Sequence, residues 1–98
     1  MFKFWSIKKY GTKLLPKLEK RYGNQTYYSA HQVRATVYQE SFNPTYLPLG
    51  YLLFLERDEL KQTLATEFPG LNIHQYKKDI LDYLDTKSYQ GYLQKLLQ

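Results

Sequence analysis

Ninety-eight residues with 14 Lys/Arg against 9 Asp/Glu, a formal charge of +5, bound this chain to one small domain with a single core. The absence of cysteine excludes a disulfide framework, a thiolate zinc site, an iron–sulfur cluster and a cysteine nucleophile together. The charge is uneven: residues 1–34 hold Lys3, Lys8, Lys9, Lys13, Lys17, Lys20, Arg21 and Arg34 against Glu19, and the rest is slightly acidic, so the front of the chain can steer anionic partners.

Met1 to Lys9 interleaves lysine with aromatics and forms no apolar stretch of the kind a secretory signal needs. The longest nearly apolar run, Tyr46 to Leu55, falls far short of the ~20 residues that span a bilayer. The expectation is therefore a cytoplasmic protein with no transmembrane segment. Phe4, Ile7, Leu14, Leu15, Leu18 and Tyr22 share one face at helical spacing, with Tyr10 at its edge. This spacing predicts a basic N-terminal helix over 3–22, kinked or restarted at Gly11 and Pro16 with Thr12 as a local cap. Gly23 ends it in the position of a left-handed cap.

Ser29-Ala30-His31-Gln32 reads as a capping box, flanked by Tyr28 and Val33 at staple positions, and predicts a second helix to about Gln39. Asn43-Pro44 supplies the next start signal. Tyr46 to Leu55 fits a buried helix kinked at Pro48, because its leucines are not β-branched and proline opposes a central strand. A short strand at 46–55 is the alternative. A polar helix follows from Glu56 or Arg57 with Leu60, Leu64 and Phe68 inward, ending at Pro69-Gly70. Asn72-Ile73-His74-Gln75 repeats the capping logic and opens a helix to about Asp85, with Ile73, Tyr76, Ile80 and Leu84 as its stripe. A last helix is expected over about Ser88 to Leu97. The two cap sequences are alike at an offset of 43 positions, which reads as convergent cap chemistry because a solenoid needs about three stacked units. The fold expected is all-α, a single domain over 1–98 of four to six short helices, with α+β as the alternative if 46–55 is a strand.

Leu15-Pro16-Lys17-Leu18, Lys20-Arg21-Tyr22-Gly23, Tyr27-Tyr28-Ser29 and Gln32-Val33, followed by Asn43, Tyr46, Gly50, Tyr51, Leu53, Phe54 and Asp58, resemble a family of short bacterial proteins of unknown function, each near this chain's 98 residues. The resemblance covers residues 12 to 80 and is most specific from Leu15 to Val33. It implies no activity, cofactor or partner. The family's small or apolar residues at the positions of Pro48 and Gly50 imply a helix there.

Chemistry is sparse. His31 and His74 each stand at the second position of a predicted helix, where a neutral ring could bind metal or act as a base, yet neither has a partner at ligand spacing. Asp79, Asp82 and Asp85 share a helical face and read as solvated. No serine or glycine lies in a nucleophile elbow, dinucleotide fingerprint or P-loop. The expectation is no enzyme, no catalytic residue, no metal and no cofactor.

What remains is surface. Lys9, Lys13, Lys17, Lys20 and Arg21 form a basic face that could contact phosphates, with Tyr10, Tyr22, Tyr27 and Tyr28 available to stack on bases. Phe2 and Trp5 point away from the apolar stripe and are candidate partner contacts or membrane-interface anchors. Helix-turn-helix from Ser29 and Asn43 fails because Tyr46 to Leu55 is too apolar for a groove. The leading expectation is a non-catalytic module binding another protein, with sequence-nonspecific nucleic-acid binding and peripheral membrane association as alternatives.

Overall fold

The computed structural model describes residues 2–89, 91 and 93. Among them lie five α-helices and no strand: α1 (Phe4–Tyr22), α2 (Ala30–Gln39), α3 (Leu47–Phe54), α4 (Arg57–Glu67) and α5 (Ile73–Thr86), with one 3₁₀ turn at Pro44–Tyr46. The all-α expectation holds and the strand alternative at 46–55 is overturned. The Cα radius of gyration of 12.7 Å is that of a folded chain of this length, ~13 Å, so the helices close around one core. The final helix expected over Ser88 to Leu97 lies mostly outside the described residues.

α1 is one continuous helix over nearly the expected span and does not restart at Gly11 or Pro16. Ile7, Tyr10, Leu14 and Leu18 are all fully buried and hold both halves against the same core. Pro16 faces solvent, as does Thr12, whose carbonyl it leaves without an intrahelical donor. Thr12 caps nothing; its hydroxyl donates back to the Lys8 carbonyl at 3.0 Å. Gly11 owes its place to packing: the Leu93 side chain fills the notch where a Cβ would stand. At Gly23 the backbone has φ 85° and ψ 177°, which is not the left-handed helical cap expected but a region essentially reserved for glycine. Its N–H still closes on Glu19 at 2.8 Å.

The Ser29 capping box is complete: Ser29 Oγ accepts from Gln32 N–H at 3.1 Å, and Gln32 Oε1 accepts from Ser29 N–H at 3.0 Å. A third acceptor comes from another helix, since Glu59 Oε2 takes the Ala30 N–H at 2.8 Å. At α5 only half the expected box forms. Asn72 caps Gln75 N–H at 3.1 Å, but the Gln75 side chain turns forward to Asp79 at 2.7 Å.

α3 is the central element. Leu47, Pro48, Leu49, Gly50, Tyr51 and Phe54 are buried around most of its circumference, packed against α1, α2 and α4. Pro48 does not kink it. It lies in the first turn, where no N–H partner is required. Gly50 is where α3 meets α1 and α2: a Cβ there would stand 3.2 Å from Tyr10 Cε2, 3.2 Å from Val33 Cγ1 and 3.4 Å from Leu14 Cδ2. Gly50→Ala should change stability by less than about 1 kcal/mol, because the gain in helix propensity offsets the tight fit. Gly50→Val has no room for its methyls and should cost on the order of 2–3 kcal/mol. Urea midpoints measured on both variants check the contrast; equal midpoints would mean that the helices part freely.

Tyrosine hydroxyls fasten the connectors. Tyr10 Oη donates to the Asn43 carbonyl at 2.7 Å, Tyr28 Oη donates to the Gly23 carbonyl at 2.7 Å, and Tyr46 Oη accepts the Lys3 N–H at 2.6 Å. The Tyr76 hydroxyl is buried and approaches the Leu49 backbone without completing a hydrogen bond.

Candidate interaction surfaces

The sequence nominated one basic face, and the fold divides it. Lys9 Nζ donates to the Ser41 carbonyl at 3.1 Å and sits over the Phe42 ring, 4.6 Å from its centroid. Lys17 and Arg21 both reach Glu40, at 3.4 and 3.5 Å, and Arg21 also donates to Gln39. These three side chains fasten α1 to the end of α2 through partly exposed contacts that solvent screens. Lys13 and Lys20 are exposed and make no ion pair among the described residues. The five therefore do not present one free row of cations. The tyrosines nominated as stacking platforms also divide, for Tyr10 and Tyr28 are buried, Tyr22 is half-buried, and Tyr27 is exposed.

Phe2 is a correction. It is half-buried, its ring edge-on to Tyr83 at 5.4 Å and tilted to Tyr46 at 6.3 Å, so it joins the start of α1 to α5. An apolar ring beside two tyrosines gains more by packing than by staying wet. Trp5 behaves as expected from its phase: it is 74% exposed, touched edge-on by Phe4, with the Lys8 ammonium 4.9 Å from its ring centroid. Trp5, Lys8, Lys9, Thr12 and Lys13 line a shallow shelf of about 350 Å³ along α1, walled largely by the apolar lysine stems.

A second concavity escaped the sequence reading. Between α3, α4 and α5 runs a groove of about 420 Å³ lined by Leu52, Leu60, Leu64 and Ile73 and bordered by Arg57, Lys61, His74 and Lys77. Arg57 and Lys61 are one turn apart on α4, and His74 and Lys77 one turn apart on α5, so one bank carries two cations and the other a lysine beside an imidazole. Those spacings were visible in the sequence. What was not is that the fold brings α4 and α5 to the two sides of one groove.

The densest polar cluster joins α2, α3 and α4. Tyr51 Oη donates to Glu67 Oε1 at 2.6 Å; Arg34 Nη1 donates to Glu67 Oε2 at 2.6 Å and to Tyr51 Oη at 3.2 Å. Burial, then the hydrogen bond to Glu67, pushes the Tyr51 phenol well above the usual tyrosine range. These groups satisfy one another and line neither the shelf nor the groove, so the cluster acts as a clasp between helices. His31 and His74 are both exposed, and Asp79 and Asp82 are engaged by Gln75 and Lys78 on the α5 surface. Among the described residues no three His, Asp or Glu side chains converge on a point that could hold a metal ion, and no helix is long and apolar enough to cross a membrane.

The sequence matches, over residues 1–97, the model of a family of unknown function, DUF6559. No curated protein and no solved structure matches it.

Proposed function

We propose, from the premise that this chain belongs to the DUF6559 family of unknown function, that it is a non-catalytic module that binds another protein through the Trp5 shelf on α1. The observation that carries this reading is Trp5 itself. Tryptophan is the largest apolar side chain in the protein, and at 74% exposure it contributes nothing to the core. Tryptophan at the centre of a patch is the residue that most often dominates a protein interface. The flanking Lys8 and Lys13 supply positive charge and, through their stems, apolar area, so the partner surface that fits is acidic around an apolar depression. Nucleic acid fits less well, because Lys9, Lys17 and Arg21 are spent within the fold.

A photo-crosslinking residue placed at Thr12, on the exposed shelf, should give discrete protein adducts in native extract. They should persist after nuclease and detergent treatment, fall by roughly 30-fold with Trp5→Ala, the ~2 kcal/mol expected of an interface anchor, and survive Tyr38→Ala, which removes an exposed aromatic ring of α2 outside the shelf. Adducts lost to nuclease, or unchanged by Trp5→Ala, would overturn the reading.

A further inference from the structure

We infer that the groove between α3, α4 and α5 is a docking site for an acidic amphipathic helix of a partner protein, a surface separate from the Trp5 shelf. Its floor is unfinished core. Leu52, Leu60 and Ile73 are only half-buried, although they pack against the core cluster, and Leu64 lies beneath them. A second hollow of about 290 Å³ shares Lys61, Leu64 and Ile73 and extends the apolar floor to Phe68 and Leu71, so the two form one elongated trough. α3 packs closely on α1, α2 and α4, whereas α5, anchored through the buried Ile80 and Leu84, makes no comparably close approach to another helix among the described residues.

Charge decides the occupant. None of the residues lining either hollow is acidic. Arg57, Lys61, His74 and Lys77 make no ion pair and no side-chain hydrogen bond among the described residues. Four of the six carboxylates of the same two helices are engaged elsewhere, for Glu59 caps α2, Glu67 holds Arg34 and Tyr51, Asp79 takes Gln75 and Asp82 takes Lys78, while Asp58 and Asp85 line neither hollow. Arg57 and Lys61 on one bank and Lys77 on the other, with the His74 ring as a further polar group, match carboxylates along both edges of an apolar stripe, the pattern of an acidic amphipathic helix. A single-headed anionic amphiphile would use one bank and leave the other unmatched.

The full-length chain, isotope-labelled, should be titrated with a side-chain-bridged helical peptide of about four turns, with leucines at i, i+3, i+4 and i+7 and flanking glutamates. Amide shifts should concentrate at Leu52, along residues 57–64 and at 73–77, with a Kd on the order of tens of micromolar. The Lys61→Glu/Lys77→Glu variant should weaken binding at least about tenfold and should gain affinity for the same peptide carrying lysines in place of glutamates. Trp5→Ala should leave the titration unchanged, which separates this test from that of the α1 shelf.

Four results would overturn the inference: no shifts at these residues at about 1 mM peptide; equal binding of the lysine peptide by the unmodified protein; saturation of the same residues by dodecanoate at lower concentration than by peptide; or the same shifts on raising protein concentration alone, which would make the occupant a second copy of this chain.

Discussion

Tyr10→Ala should destabilise the domain by about 3–5 kcal/mol, the range for deleting a large aromatic from a core. Tyr10 is fully buried, edge-on to Phe42 at 5.4 Å and to Tyr46 at 6.4 Å, and its hydroxyl holds the Asn43 carbonyl. The substitution opens a cavity among α1, α3 and the 3₁₀ turn and frees the connector at once. In a domain of this size the melting temperature should fall by at least about 12 °C. Tyr10→Phe separates the two losses: the ring stays, the Asn43 carbonyl loses its donor, and the cost should be about 1–2 kcal/mol. Chemical denaturation of the pair, read by helical circular dichroism, gives both numbers. If the two variants unfold at the same midpoint, the ring is not where the core has its centre.

The second large effect is alkaline. Burial raises the phenols of Tyr10, Tyr51 and Tyr76 well above the ordinary value of 10, and at Tyr51 the hydrogen bond to Glu67 adds to it. Below pH 10 these groups are neutral in both folded and unfolded chains and leave stability unchanged. Above it the unfolded chain loses three protons that the folded chain keeps, so stability falls as pH rises. Each group contributes about 1.4 kcal/mol per pH unit, so the three together give a slope of roughly 4 kcal/mol per unit. The domain should therefore unfold cooperatively within two or so units above pH 10, with part of the tyrosinate absorbance appearing in step with the loss of helix. Tyr51→Phe should reduce the slope by about a third. Complete tyrosine ionisation with the helices intact would show that these hydroxyls reach water.

The helix boundaries at Tyr22, Ala30, Arg57 and Ile73 were legible because they rest on chemistry local to the sequence: a glycine at the end, or a cap with a partner two or three residues on. The continuity of α1 was not, because local rules penalise Gly11 and Pro16 while the compensation comes from distant residues, Leu93 in one notch and the core under Ile7, Tyr10, Leu14 and Leu18. Phase along one helix found Trp5 but misplaced Phe2. Phe2 precedes the first helical turn, so its direction is set by the Tyr46 and Tyr83 rings rather than by helical geometry. The split of the basic face has the same origin. Lys17 and Arg21 were visibly on one side of α1, but Glu40, which draws them in, stands just past the end of a different helix. The basic groove needed α4 and α5 to be brought to the two sides of one hollow, which no spacing within either helix encodes.

The tyrosine fastenings also bear on how freely this sequence can drift. The atoms that Tyr10, Tyr28 and Tyr46 hold at Asn43, Gly23 and Lys3 belong to the main chain. Any residue that keeps the backbone path presents the same carbonyl or N–H, so a change of side chain at Asn43 or Lys3 does not remove the tether. The restriction falls on the tyrosine instead, where phenylalanine keeps the packing and loses the fastening. Divergence should therefore collect in the connectors while these hydroxyls persist in the core, which assigns three of the eleven tyrosines to anchoring rather than to recognition.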